Sequence, residues 1–239
     1  MTEPSKRLDG RLALITGASR GIGRAVALAY AAEGAHVIAL ARTKGALEEL
    51  DDEIQELGGE ATLVPADLMD PMNIDRIGGA LYERFGKLDI LVGNAGVLGT
   101  MGPITHIEPK SWDMTVGINL TANWRLIRSM DPLLRQSDAG RAIFVSSGAA
   151  NGPRPFWGGY AVSKVALEML AKTYALENAK TKIRVNLIDP GATRTGMRAD
   201  AYPGEDPMTL KTPEALAELF IELASPACNA QGELFKPDV

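Results

Sequence analysis

The chain has little that could staple or anchor it. Among its 239 residues there is one cysteine, Cys228, so no disulfide can close within the chain. A reducing cytoplasm is therefore the expected setting. Only two histidines occur, His36 and His106, far apart in sequence. With a single thiol they leave no recognisable zinc-site spacing, and no metal centre is expected. No apolar run reaches the roughly 18 residues that a membrane helix needs. The opening MTEPSKRLDGR is polar and has no apolar core of its own, so neither a secretory signal nor a membrane partner is expected. Basic residues number 25 against 30 acidic ones, a net charge of −5, and no dense basic run exists. Nucleic acid is not an expected partner. Internal repeats, low-complexity tracts and Pro/Gly linkers are absent as well. With 46% apolar residues, the chain predicts one domain over 1–239 with a substantial core.

What is there is alternation. Apolar, β-branched runs recur as LALIT, HVIALA, ATLVPA, LDILVG, RAIFVSS and IRVNLI. Between them lie segments with helical periodicity, among them RAVALAYAAEG, KGALEELDDEIQELGG, MNIDRIGGALYERFG, SWDMTVGINLTANWRLIRSM and YAVSKVALEMLAKTYALENA. Strand alternating with helix implies crossover units, hence an α/β fold: a doubly wound parallel sheet with helices on both faces. The strand runs are nearly continuous in apolar residues, as strands covered on both faces should be.

The stretch TGASRGIG places Gly17, Gly21 and Gly23 directly after the first strand run and at the start of a helix. It is not a phosphate loop of the GxxxxGK type, because Ile22 stands where the second glycine belongs. Its GxxxGxG spacing still removes side chains where a pyrophosphate would approach a helix N-terminus. A tight strand–helix turn without a ligand would use glycines in the same way. The end of the second strand discriminates further. An NAD site usually places an acid there for the ribose 2′-hydroxyl. This chain has Ala41 followed by Arg42, with Arg20 inside the glycine loop. Two guanidiniums suit a 2′-phosphate, so NADP(H) is the expected cofactor.

YAVSK puts Tyr160 and Lys164 four apart, on one face of a helix. Upstream, FVSS ends a strand and brings Ser147 to the carboxyl edge of the sheet, where open α/β sheets bind ligands. With these residues the sequence resembles the short-chain dehydrogenase/reductase family over nearly its whole length. The ordered motifs are TGASRGIG, ADL with Asp67, GNAG at Gly93 to Gly96, INLT with Asn119, Ser147, YAVSK, and RVNLIDPG followed by Thr195. One departure is Gly93, where the family often has asparagine.

The resemblance implies a Rossmann-like fold and a catalytic tetrad of Asn119, Ser147, Tyr160 and Lys164. It implies cofactor contacts in the glycine loop at Gly17, Ser19, Arg20, Gly21, Ile22 and Gly23, with Arg42 beyond it. Asp67 and Leu68 would meet the adenine, and Asn94, Ala95 and Gly96 would line the same groove. Tyr160, Lys164, Pro190, Gly191, Thr193 and Thr195 would hold the nicotinamide end. In the family the residue matching Asn119 anchors a water that passes protons to the lysine. The segment PGATRTGMRADAYPGEDPMTLKTP further resembles a bacterial subgroup of oxidoreductases without an assigned substrate. A phenol with an ordinary pKa of about 10 is a poor base at neutral pH, and a neighbouring ammonium favours its phenolate. The expected activity is hydride transfer between NADP(H) and a small-molecule carbonyl or alcohol. A 3-oxoacyl-carrier reductase, an epimerase or dehydratase on the same fold, and a non-catalytic NADP-binding sensor are the competing readings.

Three further expectations concern the surroundings. Residues 191–212 form a long loop that could fold over the nicotinamide end, with Met197 and Tyr202 closing an apolar pocket. Trp112 and Trp124 are expected in helix packing or an interface, and Phe156 and Trp157 either line the substrate mouth or pack their own loop. The helices carrying Trp112 to Met130 and Tyr160 to Ala175 are apolar on more than one side, which implies a homodimer or homotetramer.

Overall fold

Successive apolar side chains of the central strands point to opposite faces of the sheet and are buried on both. The computed structural model describes residues 6–237. The first five residues of the polar opening lie outside the described residues. Seven strands run parallel in the order β3-β2-β1-β4-β5-β6-β7. They are β1 (Leu12–Thr16), β2 (His36–Ala41), β3 (Glu60–Pro65), β4 (Ile90–Gly93), β5 (Arg141–Val145), β6 (Arg184–Ile188) and β7 (Leu234–Phe235). Ala13 and Ile15 of β1 face one layer together with Val37, Ala39, Ile90, Val92, Ile143 and Val145. Leu14, Ile38, Leu40, Leu91, Ala142 and Phe144 face the other.

The first layer is closed by α1 (Gly21–Ala32), α2 (Lys44–Glu56) and α8 (Ala217–Ala224). The second is closed by α3 (Pro71–Phe85), α5 (Ala122–Leu134) and α6 (Gly158–Glu177). Two short helices complete the set, α4 (Pro109–Val116) and α7 (Gly196–Ala201). Local signals set the ends. Asp70 caps α3 by accepting from Met72 N (3.0 Å), Pro71 opens it, and Gly86 closes it in the left-handed region at φ 70°.

Two details depart from the sequence reading. The segment SWDMTVGINLTANWRLIRSM is helical throughout but not a uniform α-helix. Between α4 and α5 it widens into a π-helical turn, Gly117–Thr121, with Asn119 at its centre. A seventh strand, β7, also joins the sheet beyond the six runs read from the sequence. Its two residues are held because Leu187 N donates to Glu233 O (2.8 Å) and Asp189 N to Phe235 O (2.9 Å). The approach to β7 is pinned by Arg141, whose guanidinium donates to the carbonyls of Ser225, Pro226 and Cys228. Asn186 adds bonds to Ala230 O and Glu233 N.

Candidate active site

All parallel strands end at the same edge, so sequence motifs that follow strands converge there. Gly17 follows β1, Arg42 follows β2, Asp67 stands just past β3, Asn94 follows β4, Ser147 lies just past β5, and Asp189-Pro190-Gly191 follows β6. The strand order reverses between β1 and β4, which opens the crevice between the glycine loop and Asn94-Ala95-Gly96.

The glycine loop is glycine because it is crowded. A Cβ on Gly23 would lie 2.3 Å from Gly17 O and 2.5 Å from Asn94 Nδ2. One on Gly17, whose φ is 68°, would lie 3.0 Å from Ala95 Cα. Asn94 locks the crossing by donating Nδ2 to Thr16 O (2.8 Å), while Thr16 Oγ1 accepts from Asn94 N (3.0 Å) and Ala95 N (3.1 Å). Helix α1 starts after Arg20 with no side-chain cap, so its first N–H groups stay open toward the crevice. Thr195 faces the loop from across it: a Cβ on Gly21 would lie 3.4 Å from Thr195 Cγ2. Arg20 and Arg42 are both exposed and have no ion-pair partner among the described residues. A bare backbone cradle, open helix N–H groups and two free guanidiniums fit a dinucleotide phosphate chain. Asp67 keeps one carboxylate oxygen in a turn, accepting from Met69 N (2.9 Å), and Leu68 is buried beside it.

At the other end of the crevice Tyr160, Lys164, Ser147 and Asn119 come together. Lys164 is 3% exposed, donates Nζ to Val145 O (2.7 Å) and stands 5.7 Å from the centre of the Tyr160 ring. Burial lowers its pKa to about 8. Burial pushes the Tyr160 phenol above its ordinary value. The Ser147 hydroxyl pulls it back down, and the charge of Asp189 adds to the rise. Ser147 also accepts from Ala149 N (3.2 Å), which fixes its rotamer at the start of a short 3₁₀ turn.

Asn119 is fully buried, and its side chain is saturated. Oδ1 accepts from Val97 N (2.8 Å), and Nδ2 donates to Val97 O (2.9 Å) and Ser163 Oγ (3.0 Å). Ser163 in turn donates to Tyr160 O (2.7 Å), so the π turn, the loop after Gly96 and the Tyr160 helix are tied at one point. A Cβ on Gly96 would lie 3.3 Å from Asn119 Oδ1 and 3.7 Å from Lys164 Nζ, so both polar groups border the space that this glycine leaves open.

The departure at Gly93 has a steric cause. A Cβ there would lie 2.3 Å from Asn123 Oδ1 and 2.5 Å from the Phe144 ring. Asn123 donates Nδ2 to Asn119 O (2.9 Å), and its buried Oδ1 has no partner among the described residues.

The walls also resolve. Trp157 meets Tyr160 edge-on at 5.9 Å and Tyr202 at 5.7 Å, and Arg198 lies 3.8 Å above the Tyr202 ring. Trp157 thus packs between Tyr160 and Tyr202, whereas Phe156 is 58% exposed with a left-handed φ of 73°. Trp112 lies against Gly159, and Trp124 is exposed on α5 rather than in the core. Sequence reasoning passed over Asp189, a 5% exposed carboxylate one strand from Ser147. Its signal was an acid standing between the strand run RVNLI and the dipeptide PG. Among the described residues no group of three or more His, Cys, Asp or Glu could hold a metal ion, and no helix is long and apolar enough to cross a membrane.

Comparison with known proteins agrees with this geometry. The family model described as short chain dehydrogenase matches residues 11–206. The uncharacterized oxidoreductase YciK of Escherichia coli is 38% identical over 219 residues, covering 90% of this chain and 86% of the relative. An uncharacterized NAD-dependent oxidoreductase of Mycobacterium tuberculosis is 37% identical over 204 residues, covering 80% and 74%. The crystal structure of a short chain dehydrogenase from Shigella flexneri, complexed with NADP, superposes with a TM-score of 0.91 at 36% identity, covering 98% of this chain and 99% of that one. A glycine cradle at the strand-order switch, the clustered tyrosine, lysine and serine, and these matches lead to one assignment: the chain belongs to the short-chain dehydrogenase/reductase family and is an NAD(P)-dependent oxidoreductase acting on CH–OH/C=O groups.

Proposed function

We propose that the protein transfers a hydride between NADP(H) and a small carbonyl or alcohol substrate, with Tyr160 as the acid and base. The observation that carries this reading is the cluster of buried Tyr160 and Lys164 with half-buried Ser147 at the far end of a glycine cradle flanked by Arg20 and Arg42, which have no ion-pair partner among the described residues. Bound NADPH would supply the hydride. Tyr160, held protonated by burial at neutral pH, gives its proton to the substrate oxygen. Ser147 donates a hydrogen bond to that oxygen as negative charge develops on it. The Lys164 ammonium stabilises the phenolate left behind. The proton returns to Tyr160 by way of Lys164 and a water on the Asn119 side, both side chains bordering the space beside Gly96. Turnover of a panel of aldehydes, ketones and alcohols with both nicotinamide cofactors tests the reading. Absence of turnover alongside tight NADPH binding would favour the sensor alternative.

NADP(H) over NAD(H) rests on Arg42 and Arg20. Replacing Arg42 with Ala should weaken NADPH by about 10–100-fold, the range of one or two lost charge-assisted bonds, and leave NADH nearly unchanged. Isothermal titration with both cofactors measures this, and equal losses for both would remove Arg42 as a phosphate ligand.

Residues 191–212 serve as a flap over the nicotinamide end. Its base is tied by Arg194 N donating to Lys211 O (2.8 Å), and its tip by the Arg198–Glu205 ion pair and the Tyr202–Trp157 contact. Hydrogen exchange of this segment should slow on NADPH saturation, and unchanged protection would make it a fixed surface loop instead.

We further read the outer face of α5 and α6 as the subunit contact. Val162, Val165, Met169 and Leu176 make one exposed apolar stripe along α6, with Trp124 exposed on α5. Light scattering at micromolar concentration should give a homodimer or homotetramer, and a monomer would end this reading.

A further inference from the structure

A second opening lies at the same sheet edge, beyond the catalytic serine. It is a cleft of about 570 Å³ whose lining includes Asp189, Gly191, Lys211 and Lys236. Its position follows from strand order. The glycine cradle sits at β1 and β4, whereas the cleft sits at the ends of β6 and β7. At roughly 4.8 Å per strand step, β7 lies about 19 Å from β1, on the far side of Ser147. The cleft abuts the reaction centre through Asp189. The Asp189 Oδ2 atom would lie 3.6 Å from a Cβ on Gly148, the neighbour of Ser147, and its charge is felt by Tyr160.

The charges in the cleft do not cancel. Asp189 is buried and already accepts from Gly191 N through Oδ1 (3.1 Å). Lys236 meets it only at 3.8 Å and otherwise reaches Asn151 Oδ1 at 3.4 Å, with its side chain 54% exposed. Lys211 has no hydrogen-bond or ion-pair partner for its ammonium among the described residues. That ammonium would lie 3.4 Å from a Cβ on Gly191, whose φ of 63° keeps this face bare. Both lysines are well placed. Lys211 stands in the β-bridge with Thr193, and Lys236 follows β7 directly. Among the described residues, a chain of net charge −5 thus lines this cleft with one carboxylate and two ammonium groups.

We propose that this cleft is a substrate subsite for an oxyanion, a carboxylate or a phosphate carried by the carbonyl or alcohol compound and held between Lys211 and Lys236. The proposal rests on the oxidoreductase reading above. Lys211 presents an ammonium with no hydrogen-bond or ion-pair partner among the described residues, and Lys236 exchanges a long contact with Asp189 for a shorter one with the ligand. Asp189 stays between the two lysines and Ser147, so the anionic end is kept at the cleft while the reacting oxygen faces Ser147 and Tyr160. A neutral substrate of the same size would leave Lys211 without a counter-charge.

The test is binding to the NADP⁺ complex, read by tryptophan fluorescence, with benzoate, phenyl phosphate and benzyl alcohol as probes. The wild type should bind at least one of the two anions about tenfold or more tighter than benzyl alcohol. The Lys211→Met/Lys236→Met variant should bring the three probes within about twofold of one another, with its melting temperature unchanged. Preference for phenyl phosphate identifies a phosphate, and preference for benzoate a carboxylate. No preference in the wild type, no binding of any probe up to about 10 mM, or a preference that survives in the variant would overturn the proposal. So would a loss of NADP⁺ affinity with discrimination retained, since the lysines would then serve the cofactor. Failure of the oxidoreductase reading has a separate signature: anion discrimination present, but no carbonyl reduced.

Discussion

Replacing Tyr160 with Phe should lower kcat for carbonyl reduction by about 10²–10⁴-fold, the range for loss of a positioned general acid. The fold and NADPH affinity should hardly change. The ring is 8% exposed and meets Trp157 at 5.9 Å, and both features survive in phenylalanine. What leaves is one hydroxyl. Ser147 keeps its bond from Ala149 N and still reaches the substrate oxygen, so part of the electrostatic stabilisation persists. The signature is therefore a fall in kcat with the dissociation constant for NADPH constant, measured by steady-state kinetics and titration on the same preparation. A fall of less than about threefold would mean that the proton comes from elsewhere.

Replacing Lys164 with Met should remove activity and yet stabilise the protein without cofactor. The drop of the lysine pKa from 10.5 to about 8 corresponds to about 3 kcal/mol against the buried ammonium. Methionine removes that cost but leaves Val145 O without its 2.7 Å donor, a loss of about 1 kcal/mol. The variant should gain about 1–2 kcal/mol at pH 7. The pH dependence has a definite sign. The folded lysine gives up its proton near pH 8 and the unfolded one near 10.5, so between these values the unfolded state binds more protons. The contribution of this group to wild-type stability therefore rises with pH across that window. The advantage of the variant is largest below pH 8 and vanishes toward 10.5. Denaturant melts at pH 7 and pH 9.5 check this, and a variant less stable than wild type at pH 7 would contradict the buried-charge account. Holding a charged lysine in an apolar niche costs stability, and its ammonium beside the Tyr160 ring is what the site gains.

The architecture was legible because it is local. Each buried strand writes itself as an apolar run, and each crossover helix shows its period, so six strands and the main helices could be read directly. The glycine loop was legible for a related reason: the contact that forbids a Cβ at Gly23 is with Gly17, six residues away, and with the end of the adjacent strand. What escaped depends on distant partners. Strand β7 has two residues, and it exists because Arg141 and Asn186, far back in the chain, hold the segment leading to it. The π turn at Asn119 is fixed by Val97 and Ser163, neither of them near it in sequence. Gly93 looked like a variation in a motif until Asn123 and Phe144 were seen to fill its Cβ position. Asp189 and Lys236, 47 positions apart, meet only after β7 pairs with β6.

The central claim is that this chain moves a hydride from NADPH to a carbonyl carbon while Tyr160 protonates the oxygen. The most direct measurement uses NADPH deuterated at one or the other C4 position, with a carbonyl panel that includes carboxylate- and phosphate-bearing aldehydes, and mass spectrometry of the alcohols formed. The account predicts that deuterium from only one of the two epimers appears at the carbinol carbon, and that the Tyr160→Phe variant retains this stereochemistry at a greatly reduced rate. Alcohol formed without deuterium from either epimer, or no alcohol from any carbonyl by an enzyme that binds NADPH tightly, would contradict it.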